Sequence, residues 1–207
     1  MRKFVWITLL AVTSLPGASW KQLFNGKDTS GWQMTGPGEF TVEDGMLKTN
    51  GGMGLLYYTG KPFANTTLKV VFKTTGERSN SGVFIRLPEK PRDPWYGVHN
   101  GYEVQIDSGG DEWHRTGAIY SLSKAGGDWK QNPAGEWNTM EIQLQGKKTV
   151  VFLNGKKVNE FVEGQAVPER KAWYEPVRGP RPDVGYIGLQ NHDAKSQVYF
   201  KEVSVKE

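Results

Sequence analysis

Residues 150–158, Val-Val-Phe-Leu-Asn-Gly-Lys-Lys-Val, read as two extended arms joined by a two-residue turn. Asn154 and Gly155 can both take the positive φ angles that the tightest hairpin turns require. The same grammar recurs in Phe-Thr-Val-Glu-Asp-Gly-Met-Leu-Lys, residues 40–48, where Asp44 and Gly45 join Phe40 to Glu43 and Met46 to Lys48. Further short apolar runs, bounded by turn residues, predict strands over 67–73, 82–87, 102–106, 117–121, 139–144, 186–190 and 197–205. Little sustained helical periodicity competes with them, and a chain of many short strands packs as an all-β sandwich of two antiparallel sheets.

The composition narrows the possibilities. Arg2 and Lys3 precede an apolar run from Phe4 to Leu15 and the small residues Pro16, Gly17, Ala18 and Ser19. That order predicts a signal peptide over 1–19 and export to the periplasm or the extracellular space. The run is shorter than the ~20 apolar residues that a spanning helix needs, so no membrane association is expected after cleavage. Residues 20–207 then form one domain. Loss of Arg2 and Lys3 lowers the formal net charge from +4 to +2. The remaining charges are mixed in sign along the chain, which makes nucleic acid a poor partner. The chain has no cysteine, which excludes disulfides and thiolate metal sites.

Long loops rich in Pro, Gly and Trp fall at 88–100, 109–115, 124–137 and 163–183, where binding or catalysis is expected. The strands between them repeat one layout. In Gly-Tyr-Glu-Val-Gln-Ile-Asp-Ser, residues 101–108, Tyr102, Val104 and Ile106 share one face, while Glu103, Gln105 and Asp107 share the other. In residues 82–86 Val83 and Ile85 pair, leaving Phe84 and Arg86 opposite. In residues 185–192 Ile187 and Leu189 pair, leaving Tyr186, Gly188, Gln190 and His192 opposite. If these strands are neighbours, Arg86, Glu103, Gln105, Asp107, Gln190 and His192 converge on one polar surface. The alternative is a solvated outer sheet face.

Seven segments in order carry a family resemblance: residues 23–32, 42–58, 80–88, 101–108, 116–120, 135–138 and 186–192. Together they resemble the 3-keto-disaccharide hydrolase family, over the chain from about Trp20 to its end. The resemblance implies a concanavalin-like jelly roll with one concave, polar sheet, and chemistry on sugars oxidised at C3. A ketone at C3 acidifies the C2 proton, so a base there forms an enolate that expels the C1 oxygen, and water then adds to C1.

Glu103 and His192 are the candidates for base and acid, in either order. Arg86 is the candidate donor to the enolate, and Gln105 and Gln190 to orient hydroxyls. Asp107, Tyr120, Trp95, His99 and His114 are candidate substrate contacts, although loop histidines are as readily ordinary surface residues, and Asp107 at a strand end is as readily a turn cap. Tyr96, Trp113 and Trp129 can also stack on sugar rings. Trp32 and Trp137 are expected to be structural, and Asn80, Ser81 and Gly82 to form a turn. A divalent metal on Glu103, Asp107 and His192 suits the residue types, but no ligand spacing marks one.

Two rivals stay open. Glu103, Gln105 and Asp107 alternate as in the acidic strand of jelly-roll β-glucanases, with Gln105 in place of the central acid. A sugar-binding module without activity is the other, since sandwiches of this kind serve as lectins too.

Overall fold

The computed structural model describes residues 19–127 and 129–207; of the expected signal segment, only Ser19 lies among them. Thirteen strands and one short helix follow in order: β1 (Lys21–Gln22), β2 (Trp32–Thr35), β3 (Glu39–Glu43), β4 (Met46–Asn50), β5 (Gly54–Tyr58), β6 (Thr66–Thr74), β7 (Asn80–Leu87), α1 (Pro94–Asn100), β8 (Tyr102–Asp107), β9 (Asn138–Gln145), β10 (Lys148–Leu153), β11 (Lys156–Val162), β12 (Tyr186–Asn191) and β13 (Val198–Lys206). The larger sheet runs β11-β10-β9-β6-β13-β4-β3, with β1 pairing β13; the smaller runs β2-β5-β12-β7-β8. All these pairings are antiparallel. This is the expected all-β jelly-roll sandwich.

Both predicted hairpin turns form. Asp44 and Gly45 take φ of 49° and 75°, Asn154 and Gly155 49° and 80°, the left-handed pair that matches strand twist. Between the sheets, Leu47, Val70, Phe72 and Phe200 of the larger meet Val83, Ile85, Val104, Ile106, Ile187 and Leu189 of the smaller, all buried in one cluster. Trp32 is buried there too and donates from Nε1 to the Leu23 carbonyl at 2.9 Å. Trp137 sits under Lys73 and Lys201, 4.9 and 4.3 Å from its ring centre.

The smaller sheet has a second, divided face. At one end α1 covers it: Val98 packs on Leu55, Phe84 and Leu87. Asp93 caps α1 by accepting from the Tyr96 N–H at 2.9 Å, and Pro94 opens it. The backbone of α1 comes so close that a Cβ on Gly97 would meet Leu55 Cδ2 at 2.8 Å. At the other end this face is uncovered and polar.

Three expectations fail here. Residues 117–121 form turns and an isolated bridge at Ile119, not a strand, because Gly117 (φ 89°) and Ser121 (φ 56°) break the extended path. Asn80, Ser81 and Gly82 open β7 and pair with Asp107, Ile106 and Gln105, so they are strand and not turn. The loop expected over 88–100 contains α1.

Candidate active site

The uncovered end of the smaller sheet is the floor of a groove of about 570 Å³. β8 supplies Glu103, Gln105 and Asp107, β12 supplies Gln190, and β7 supplies Asn80. His192 follows β12 directly, and Tyr120 and His114 come from the loop beside β8. That loop is tied down by two backbone bonds, Tyr120 N to Glu103 O at 2.9 Å and Gln105 N to Ala118 O at 3.0 Å. Trp95 and Val98 of α1, Met53, and Trp173 and Tyr174 of the 163–185 loop complete the walls. The alternation in β8 thus does what its sequence implies. Val104 and Ile106 go to the core, and Glu103 and Gln105 face the groove.

Glu103 is the electrostatic centre. It is buried, and its Oε1 has no hydrogen-bond partner among the described residues. Burial raises its pKa from 4.5 to about 8, against a smaller lowering by Gln190. Gln105 Oε1 and Gln190 Oε1 are also buried and unpaired, while Gln105 Nε2 donates to Asn80 Oδ1 at 3.2 Å. Three unpaired buried oxygens at a groove floor call for a ligand rich in hydroxyls, which can donate to the two amide oxygens and either accept from or donate to Glu103, since an unmet buried polar atom costs ~1–3 kcal/mol. Burial, then Glu103, pushes the Tyr120 phenol up to about 12, so it stays a neutral O–H donor at physiological pH. Burial also raises Asp107, partly offset by the Gly109 and Gly110 backbone, His192 and His114. Among the described residues, no lysine or arginine lines the groove.

Each groove histidine is oriented by a carboxylate. His192 Nδ1 contacts Asp193 Oδ2 at 2.7 Å and has no second partner among the described residues. His114 Nδ1 contacts Asp111 Oδ1 at 2.7 Å, and its Nε2 is taken by Ser121 Oγ at 3.0 Å. With both ring nitrogens engaged, His114 is the less available for proton transfer.

Arg86 is not in the groove, which corrects the simple alternation read along β7. Opposite the single residue Ile187, β7 carries two, Ile85 and Arg86, and this bulge reverses the faces beyond it. Arg86 has φ 54° and is 2% exposed. It donates from Nη1 to the carbonyls of Pro182 (3.1 Å) and Asp183 (2.9 Å), and from Nη2 to that of Gly146 in the larger sheet's β9–β10 turn. Its guanidinium ties the loop that precedes β12 to the larger sheet.

His99 also misses the groove lining; it stacks on Trp95, with ring centres 5.9 Å apart, and donates from Nε2 to the Trp173 carbonyl at 2.9 Å. Trp113 and Trp129 line a separate depression of about 560 Å³ beside β11, where Ser123 and Asn159 already pair with each other. The set Glu103, Asp107 and His192 does not form a metal cradle: among the described residues no three His, Asp or Glu side chains gather at ligand spacing.

Trp173, Tyr174, Met53 and Asn80 were not singled out as site residues by the sequence. The adjacent aromatic pair 173–174, inside a long loop already expected to carry function, was the available signal.

A two-sheet jelly roll with an acid-, amide- and histidine-floored groove walled by aromatic rings defines a protein of the concanavalin-like carbohydrate-active class. The chain belongs to the 3-keto-alpha-glucoside-1,2-lyase-like domain family, whose model matches residues 19–206. It is 26% identical to the 3-keto-disaccharide hydrolase of Bacteroides thetaiotaomicron over 89% of this chain and 77% of that protein. A Parabacteroides distasonis crystal structure, provisionally assigned as a glycosyl hydrolase, superposes with a TM-score of 0.74 at 28% identity, over 90% of this chain and 98% of that one. A Bacillus subtilis protein with a galectin-like fold superposes with a TM-score of 0.62 at 12% identity, over 91% and 94% of the two chains, a likeness of fold alone.

Proposed function

We propose that this protein, once exported, cleaves glycosides that carry a ketone at C3. Glu103 removes the C2 proton, and the electron pair of that bond moves into an enolate whose oxygen accepts from the Tyr120 hydroxyl. The enolate re-forms the ketone as the C1–O bond breaks, leaving a C1–C2 double bond, and the departing oxygen takes its proton from His192. Water then adds at C1 while C2 regains a proton, so the net change is hydrolysis. Gln105 and Gln190 accept from sugar hydroxyls and fix the ring over Glu103.

One observation carries this reading: a buried carboxylate at the groove floor with an unpaired oxygen and a pKa of about 8. A base of that strength suits a carbon acid activated by a neighbouring ketone, and it is poorly suited to be the ionised nucleophile of a retaining glycosidase. The family membership and the hydrolase name of the Bacteroides relative support the same substrate class.

The test is product release from a 3-keto disaccharide and from its unoxidised parent, each with and without added divalent ion. Cleavage of the keto sugar alone is expected. Cleavage of the parent would put an ordinary glycosidase in its place, and binding without cleavage a lectin-like module.

A further inference from the structure

Residues 163–185 connect β11 to β12 with no helix or strand, yet their backbone is densely bonded. Arg178 donates to the carbonyls of Pro168 (2.8 Å) and Pro176 (2.7 Å) and pairs with Glu175 at 2.8 Å. Arg181 reaches the carbonyls of Gly101 (3.1 Å), His99 (2.9 Å), Gly179 (2.9 Å) and Val177 (2.6 Å). Arg170 bonds the carbonyls of Glu175 and Trp173, and Arg86 those of Pro182 and Asp183. Guanidinium forks therefore replace the missing ladder, and the segment is fixed rather than a swinging lid.

What the segment holds out is aromatic. Trp173 is 64% exposed and Tyr174 48%, so neither is there to fill a core. Trp173 meets Trp95 of α1 with ring centres 4.6 Å apart and an interplanar angle of 53°, and Tyr174 stands edge-on to it at 5.9 Å. All three line the same groove as Glu103. Large apolar rings kept in water at a rigid rim serve a ligand, and flat rings favour a flat partner.

We infer that Trp95, Trp173 and Tyr174 form the leaving-group subsite, built for a ring with an apolar face. The inference rests on the proposed reaction. The reacting sugar belongs over Glu103, Gln105 and Gln190, the acceptors that match its hydroxyls, which leaves the aromatic rim for the group attached at C1. A hexose and an aryl group share the required chemistry. A methyl group does not.

The experiment compares Trp173→Ala and Tyr174→Ala with wild type on 3-keto glucosides bearing methyl, glucosyl and phenyl leaving groups. The expected result is a fall of roughly tenfold in kcat/KM for one or both ring-bearing substrates, with the methyl glucoside unchanged. Whichever ring loses more is the one the rim was built for. An equal fall on all three substrates, or none on any, would overturn the inference. If wild type cleaves no keto glucoside, the reaction fails and the subsite is read by titrating tryptophan fluorescence with phenyl and methyl glucosides. Preferential phenyl binding that is lost in Trp173→Ala keeps the subsite, and equal binding removes it.

Discussion

Gly82 lies directly beneath the carboxylate of Glu103: a Cβ at position 82 would stand 2.3 Å from Glu103 Oε1 and 2.7 Å from its Cγ. β7 runs between the strands that carry Glu103 and Gln190, and the missing side chain lets the acid lie across it. Gly82→Ala therefore pushes Glu103 out of position. The group that yields is the end of a side chain, and the backbone at 82 needs no positive φ, so the fold tolerates the change. We expect cleavage to fall by ~100-fold or more while the melting temperature moves by no more than a typical surface substitution. A fully active Gly82→Ala would show that the Glu103 position does not matter to the reaction.

Glu103 sets activity and stability against each other as pH rises. Its folded pKa of about 8 lies above the ordinary glutamate value of 4.5, so between these values the folded state holds a proton that the unfolded chain has released. Stability accordingly declines from about pH 4.5 to 8 and then levels off, with an amplitude on the order of a few kcal/mol. The base, in contrast, works only when deprotonated, so kcat/KM for a 3-keto nitrophenyl glucoside, whose leaving group needs little help from an acid, rises through pH 8. Glu103→Gln should abolish turnover, flatten the alkaline loss of stability, and melt above wild type at pH 9. Parallel melting curves for the two proteins across this range would mean that Glu103 is not buried as a neutral acid.

Arg86 is predicted to matter for folding and not for chemistry. Removing its guanidinium strands the carbonyls of Pro182, Asp183 and Gly146 and unties the groove loop from the larger sheet. Arg86→Met should cost ~3 kcal/mol or more in denaturant unfolding. Arg86→Lys should rescue only part of it, because one ammonium cannot reproduce the fork. An unchanged unfolding midpoint with lost turnover would return Arg86 to the active site.

These residues also mark what was legible in the sequence. Asn154-Gly155 and Asp44-Gly45 announced their hairpins because few other residue pairs accept two successive positive φ angles. Strict alternation in 102–107 was enough to separate Val104 and Ile106 from Glu103 and Gln105. The groove-facing placement expected for Arg86 fails because a bulge depends on the strand opposite: nothing within residues 80–87 says that Ile187 faces two residues. Trp173 and Tyr174 were out of reach for a related reason. Their place at the groove is fixed by arginines over a long, irregular loop, and no local periodicity encodes that arrangement. The seven-residue α1 is too short for a periodic signal, although Asp93 and Pro94 are an N-terminal cap and first-turn pair.

Among the described residues, His192 has the one histidine ring in the groove with an unengaged nitrogen, and that decides its expected role. Burial pushes the Asp193 carboxylate up, but His192, the Lys195 and Ser196 N–H groups and the Ser196 hydroxyl together hold it down at about 2. It therefore remains an anion that accepts from Nδ1–H and turns Nε2 to the substrate, so that the ring donates when it carries a proton on Nε2 as well. A proton donor to the leaving oxygen is needed most when that oxygen departs as a poor alkoxide and least when it departs as a stabilised phenolate. His192→Ala should therefore slow a 3-keto disaccharide by ~100-fold or more and a 3-keto nitrophenyl glucoside far less. Asp193→Asn should show the same preference in weaker form, together with a lower melting temperature, since Asp193 also closes the turn into β13. Equal losses on both substrates would take His192 out of the leaving-group step and leave it as a contact to the sugar.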